Sequence, residues 1–572
     1  MKTWLWRGLI LLGVVMLASA GRRLDAAPLD ACQPVATENW ATVSNWSCGH
    51  TPTSTDAVTI PLGVTLTLSA DGDVGDLTLA TPGTRLSLGA GVALNVYGTL
   101  VTTSTTTSAT ITGSGRLRMV GGSRTLFAPN WGAGSTGLRL EIALDSGAVG
   151  TSNQAIKGGE ILIDSGTYST TTDVRPDNGV VNSGRLDVAA GATLITAGNI
   201  ERTATNGTQA SSVIISGTLE SSGAYISANT ITIASGGLLR VKRTNGLNIA
   251  GAIDYATGST LEYAGSVAQT TGGELTTTVA NLTVANPAGV TLGKSATVNG
   301  QLALTGGGLA TTGAYTLTLG DAATCTGDHE VTGVVQRINP SLGTGYCFGH
   351  PHTVVTFTTG ALPTSVSVTL SQGTPPFPGA VARQYTLNAP GFTGAATVRL
   401  HYLDSELNGA TEANLHLWRF DGARWRLMGR STIDTTNNYV ELTGVTAFSD
   451  WAIAEDGEPT AVTIVDFSAE TQPDGVHLAW ETADETLNAG FHVLRSDSAY
   501  SYGQRITTAL IPSQTAGGVG GAHYTFVDTM PSVASTRFYW LEDVDLTGAT
   551  ALYGPVIVTQ KLLWLPLIAM DK

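Results

Sequence analysis

The chain has 572 residues, a formal net charge of −15 and only 13 % charged residues, about half the usual share. That length is too great for one ordinary domain, and the acidic balance without any Lys/Arg cluster excludes a phosphate-binding, nucleic-acid-binding surface. Seventy glycines and a first half crowded with Thr and Ser disfavour helix and suit short strands joined by turns.

The N-terminus reads MKTWLWRGLILLGVVMLASA. Lys2 and Arg7 form a charged leader, Leu9 to Ala18 an apolar core too short to span a bilayer, and Ala18-Ser19-Ala20 a small-x-small cleavage site. Residues 1–20 are therefore expected to be a secretory signal peptide, with the mature chain secreted or held at a cell surface. No later apolar run is long enough for a transmembrane helix.

Four cysteines, Cys32, Cys48, Cys325 and Cys347, fall into two local pairs with 15 and 21 residues between partners. Three pairings are possible. In an exported chain, proximity favours the disulfides Cys32–Cys48 and Cys325–Cys347. Neither pair has the C-x-x-C spacing of a zinc site.

Residues 30–68 supply Trp46, Val58, Ile60, Leu66 and Leu68 just ahead of a repetitive region, with Pro52 and Pro61 stiffening turns and Asp56 as a turn acceptor. They are expected to cap that region. Residues 69–329 repeat short period-two strands ending at Gly, Asn or Ser-Gly: Leu77-Thr-Leu79, Leu94-Asn-Val96, Ile161-Leu-Ile163, Leu186-Asp-Val188, Val213-Ile-Ile215, Leu282-Thr-Val284 and Leu317-Thr-Leu319. Such strands, recurring roughly every 8 to 20 positions, predict stacked coils of a parallel β-solenoid rather than hairpins. No coil can bury its apolar face alone, so the stack needs end caps.

From residue 330 to 457 the strands lengthen and become aromatic, and Asp421-Gly422 marks a hairpin between Phe420 and Trp425. This segment reads as an antiparallel β-sandwich, with Cys325–Cys347 at its junction with the solenoid. Residues 460–559 form a further module, with Asp474-Gly475 as a turn, Trp480 on an early strand and Tyr539 on a late one. An apolar tail, residues 560–572, contains Leu562-Leu-Trp-Leu-Pro-Leu-Ile568. The fold expected is all-β: a parallel solenoid followed by two antiparallel sandwiches.

Two resemblances bear on these segments. The pattern W-x2-G-x2-P-x3-D-x-V-x-I-P-x-G, from Trp46 to Gly63, resembles the entry segment of G8-type bacterial surface β-solenoids. In those proteins it is structural, which implies no catalytic role for Cys48 or His50. Residues 460–559 resemble fibronectin type III and immunoglobulin-like modules. The combination with the short tail is similar to exported surface proteins of Chloroflexi-type filamentous phototrophs, where such tails are suspected sorting or anchoring signals.

Chemistry is sparse. Asp71, Asp73 and Asp76 are the densest acidic group and read as a turn between coils, with a loose calcium site as the functional alternative. Asp173-Val-Arg-Pro-Asp177 mixes acid and base without the paired aspartates, G-H-G and R-x-K of a pectin-cleaving solenoid. His350 and His352 form an H-x-H with no third ligand evident. His416, Trp418 and Phe420 share one strand face by parity, opposite Leu415 and Leu417. With Trp425 they form a candidate glycan-stacking patch if the leucine face is the core. The resulting expectation is a non-enzymatic, adhesin-like protein without cofactor, whose sandwiches contact extracellular glycan or cell-wall material. The alternatives are a polysaccharide lyase or hydrolase on the solenoid and a purely structural surface-layer component.

Overall fold

A computed structural model describes residues 31–559 apart from 104–108, 129–130, 134–137, 177–183, 202–210, 378, 423–424, 456–461, 499–502, 516–519, 530–535, 547 and 549. The expected signal peptide, the apolar tail and Asp177 lie outside the described residues. The fold is all-β, 57 % strand and 2 % helical, with a parallel solenoid of about 12 turns and separate antiparallel sheets toward the C-terminus. Contacts divide the chain into two compact units: residues up to 239 with 248–253, and residues 240–247 with 254 onward.

In the first unit, coils stack in register because each places the same residue type inward. One inward column runs Leu94, Leu117, Leu140, Ile161, Leu186, Val213, Ile231. A second runs Val96, Met119, Ile142, Ile163, Val188, Ile215, Ile233. Every member of both is at most 1 % exposed. Each fully buried aliphatic chain contributes roughly 1.5–3 kcal/mol of transfer free energy, so the columns are the main apolar cement of the stack.

The abundant Ser and Thr have a second use at a corner. Ser152, Thr170, Thr196 and Ser221 occupy successive coils in register and point inward. The hydroxyls of Ser152, Thr170 and Thr196 accept the backbone N–H two residues on, at 3.0, 3.1 and 3.1 Å. A side-chain acceptor thus replaces the ladder bond that the chain loses where it turns. At other corners the cap comes from the preceding coil. Asp173 Oδ1 accepts Asn199 N–H at 3.0 Å, and Asn199 Oδ1 accepts Ala224 N–H at 2.9 Å.

The first coil is closed as its composition requires. Ala31–Cys32 adds in parallel to Ala57–Ile60. Trp46 is 3 % exposed, donates to Trp40 O at 2.8 Å and packs edge-on against the Trp40 ring at 4.9 Å. Asp56 accepts Thr53 N–H and Thr53 Oγ1–H, each at 2.7 Å. The Cys32–Cys48 disulfide ties the two halves of this segment together, with Cα atoms 5.0 Å apart. Replacing Cys48 by Ser releases a 16-residue separation and is expected to cost about 2–4 kcal/mol and fray the first coils. Unchanged thermal unfolding together with unchanged protease resistance would contradict this.

In the second unit, Thr260–Tyr263, Asn281–Val284, Gln301–Leu304 and Thr324–Thr326 pair in parallel, placing Leu261, Leu282, Leu302 and Cys325 in one column. Glu274 is fully buried here, yet its carboxylate is satisfied. It accepts Leu247 N–H at 2.6 Å, Tyr263 O–H at 2.6 Å and Gly272 N–H at 2.8 Å.

The change from solenoid to sandwich occurs within one strand, with no linker. Val331–Ile338 pairs in parallel with Leu309–Ala310 and Leu317–Leu319, and antiparallel with Ser365–Gln372. Its sheet continues through Arg383–Asn388, Asp450–Glu455, Leu415–Phe420 and Trp425–Gly429. The facing sheet holds Gly345–Cys347, Val354–Ala361, Thr393–His401, Tyr439–Val445 and Thr432–Asp434. The second disulfide, Cys325–Cys347, joins the last solenoid strand to this facing sheet.

The C-terminal module has two antiparallel sheets, one built on Thr463–Gln472, Gly475–Asp484 and His523–Asp528, the other on Asn488–Ser496, Thr536–Asp545 and Thr550–Thr559. Trp480 anchors its core, stacked on Tyr524 at 5.2 Å and edge-on to Phe491 at 5.5 Å. Tyr539 O–H donates to Asp528 Oδ2 at 2.9 Å, and Arg495 clamps the same carboxylate at 2.7 and 2.9 Å.

Candidate functional site

The densest polar constellation lies in the sandwich, around Glu330. This residue immediately precedes the switching strand. Arg383 reaches it from an inward-facing position of one strand, with Tyr385 beside Arg383 on the same face, and His401 from the end of another. Arg383 donates through Nη1 to Glu330 Oε1 at 2.9 Å and through Nη2 to Oε2 at 3.0 Å, the two-pronged geometry that suits guanidinium to carboxylate. Gln372 donates to Glu330 Oε2 at 2.7 Å, and His401 Nδ1 lies 2.7 Å from Oε1. Arg383 Nε also donates to Glu406 Oε2 at 2.5 Å, while Tyr385 O–H donates to the His401 carbonyl at 2.7 Å. Arg383 is 0 % exposed, and its two bonds to Glu330 form away from water.

The electrostatics follow from that burial. Burial pushes the Glu330 carboxyl up. The His401 hydrogen bond and the Arg383 charge outweigh it and hold the group down at about 2. Burial, then the neighbouring His401, push His350 down to about 3, so its ring is neutral. Burial pushes the Tyr385 phenol up to about 12.

His350 and His401 stack face to face, ring centres 3.7 Å apart and planes 26° apart. With Glu330 their ligand atoms come within 4.8 Å of one another, a group of three that takes in only His350 of the H-x-H motif and leaves His352 outside. The arrangement is nevertheless poor for a metal ion. Lone pairs of near-parallel rings do not converge on one point at the 2.0–2.1 Å required of a zinc–nitrogen bond. His350 Nδ1 accepts the His352 N–H at 3.2 Å, and Arg383 already neutralises Glu330. The network is a charge-satisfied clamp. The other group of this kind, Cys32, Cys48 and His50, has both its sulfurs in a disulfide.

On the solenoid, outward charges pair from coil to coil. Asp73, Asn95, Arg118 and Glu141 form one chain across four strands. Asn95 Nδ2 donates to Asp73 at 2.9 Å, and Arg118 donates to Asn95 at 3.2 Å and to Glu141 at 2.9 Å. Arg139 donates to Glu160 at 2.8 Å, and Arg240 to Glu262 at 2.5 Å. Of the three aspartates weighed for calcium, Asp71 accepts Ala93 N–H at 2.8 Å and Asp76 accepts Thr99 N–H at 2.7 Å, so all three carboxylates bind the next coil.

One solenoid cluster has split acidities. Arg175 Nη2 lies 2.7 Å from Asp173 Oδ2 and 3.6 Å from Glu201 Oε1, and Tyr225 O–H donates to Glu201. Burial and the nearby Asp173 charge raise Glu201. Burial also acts to raise Asp173, but the Arg175 and Asn199 hydrogen bonds win and lower it.

The aromatic patch expected on the sandwich requires correction. Parity placed Leu415 and Leu417 opposite Trp418, and all three are 0 % exposed. The strand is covered on both faces. Phe377 lies edge-on to Trp418 at 5.5 Å, with Ala380, Ala452 and Ala454 around it, and Trp418 Nε1 donates to Glu455 O at 3.0 Å. Trp418 is therefore core and cannot stack on a sugar. His416, Phe420 and Trp425 are half-buried, and Trp425 packs against both Phe377 and Phe420. Beyond it, Leu427 and Met428 are 41 % and 37 % exposed.

The chain matches no protein-family model, no curated protein and no solved structure. Among the described residues no helix is long and apolar enough to cross a membrane. The two disulfides are those of a chain kept outside the reducing cytoplasm.

Proposed function

We propose that this is a non-enzymatic protein of the extracellular space or cell surface, in which the solenoid is a stiff spacer and the sandwich makes adhesive contact with glycan or cell-wall polymer. The observation that carries this reading is the coil-to-coil pairing of the solenoid's outward charges. Glycan-cleaving sites need carboxylates free to hold or take a proton at a bond, whereas Asp73, Glu141, Glu160 and Glu262 are engaged by neighbouring coils. For contact, the half-buried Trp425 and Phe420 beside exposed Leu427 and Met428 offer an apolar, aromatic surface.

Co-sedimentation with insoluble polysaccharides and cell-wall preparations tests this. Saturable depletion on one polymer, reduced about tenfold or more by Trp425→Ala, is the expected result. No depletion on any polymer would remove the adhesive part and leave a structural surface-layer role. Trp418→Ala is unsuitable as the probe, because it empties the core.

A second reading, a glycan-cleaving site on the solenoid, is favoured by the Asp173–Glu201 pair. Carboxyls driven apart in acidity beside an arginine are the arrangement from which one acts as acid and the other as base. Against it, Asp173 also caps the Asn199 corner of the next coil.

A further inference from the structure

Arg337 is the one arginine of the switching strand Val331–Ile338, and it is 1 % exposed. Its hydrogen-bond acceptors are neutral: Ala323 O at 2.9 Å, Gly320 O at 2.5 Å and Cys347 O at 3.0 Å. The guanidinium also lies over the Tyr346 ring, 5.3 Å from its centre. Nη2 is 3.2 Å from Cys347 Sγ. Burial lowers Arg337 only to about 10, so it stays charged at neutral pH.

The two sulfurs of this disulfide are therefore unequal. A thiolate on Cys347 would sit against a buried cation, while Cys325 lies on Thr324–Thr326, the terminal strand of its sheet; both residues are half-buried, so the guanidinium and not exposure sets the two sulfurs apart. The other disulfide has the opposite surroundings. Cys32 is 0 % exposed, and Cys48 Sγ is 3.3 Å from the His50 carbonyl oxygen, which disfavours an anion there. Thiol exchange runs faster when the departing sulfur is the more stable thiolate.

We propose that Cys325 is a site of thiol exchange for small aliphatic thiols, with Cys347 as the leaving group held by Arg337. The incoming thiolate attacks Cys325 Sγ. The new S–S bond forms there, the Cys325–Cys347 bond breaks, and its electron pair leaves on Cys347 Sγ opposite the guanidinium. The product is a mixed disulfide at Cys325, and no oxidant or reductant beyond the thiol is required. The exchange unfastens the last solenoid strand from the facing sheet of the sandwich while leaving the N-terminal cap tied.

The test is exposure of the native full chain to glutathione, quenching with iodoacetamide and peptide mapping by mass spectrometry. The expected result is glutathione on Cys325, alkylation on Cys347 and an intact Cys32–Cys48 bond. Arg337→Lys should retain the site, and Arg337→Met should slow the exchange about tenfold and scatter the adduct over both sulfurs. Glutathione on Cys347, equal labelling of the two sulfurs in the wild-type chain, or earlier opening of Cys32–Cys48 would overturn the proposal. Because the wild-type map decides the regiochemistry, the proposal stays falsifiable even if Arg337→Met does not fold.

Discussion

Arg383→Met should destabilise the sandwich by about 3–5 kcal/mol, the cost of leaving a buried ion pair without one partner. The substitution keeps most of the side-chain volume but removes the donors to Glu330, Glu406, Tyr385 and the His401 carbonyl. Glu330 is then a carboxylate in a site too dry to solvate it, held only by Gln372 and His401. The effect should be local to strands Arg383–Asn388 and Thr393–His401, whose amide exchange reads it directly. Adding Glu330→Gln should recover part of the loss, because the orphaned charge goes with it. A loss below about 1 kcal/mol, or no recovery in the double variant, would mean that the clamp contributes little.

The same cluster should make the sandwich acid-sensitive in two stages. His350 is held below its ordinary value, so the unfolded chain binds its proton first, and stability falls as pH drops from about 6.5 toward 3. Glu330 is also depressed. Its contribution is complete above about 4.5 and is lost as pH falls toward 2. Both act in one direction, and a proton on His350 would place a charge in a buried ring stacked on His401 at 3.7 Å. Several kcal/mol should disappear between pH 6.5 and 3, since a tenfold difference in proton affinity between the folded and unfolded chain is worth about 1.4 kcal/mol. His350→Gln should flatten the upper stage and leave the lower one. A stability profile flat from pH 7 to 4 would contradict this.

Much of the solenoid was legible because its signal is local. Leu77, Leu79, Leu94, Val96, Leu186 and Val188 announce their inward face by alternation alone, and all six are buried. Coil-to-coil pairing was hidden because the register depends on loop lengths. Arg118 and Glu141 are 23 positions apart, and nothing in either strand names the other. The Glu330 cluster was hidden more deeply, since Glu330 and His401 are separated by 71 positions. A signal did exist. Arg383 shares its parity with Tyr385 and Leu387 on the inward face of an alternating strand, and a charge on an inward face demands a buried partner. For Trp418, alternation separated the two faces of the strand correctly. It was silent on the Phe377 segment that covers the second face.

The central claim is contact without turnover, and release of soluble fragments tests it most directly. Neutral and acidic polysaccharides incubated with the chain should show no new reducing ends and no unsaturated uronate absorbance, with or without added calcium. Sustained product formation, abolished by Glu201→Gln with the fold intact, would contradict the account and assign the Asp173–Glu201 cluster as a catalytic site.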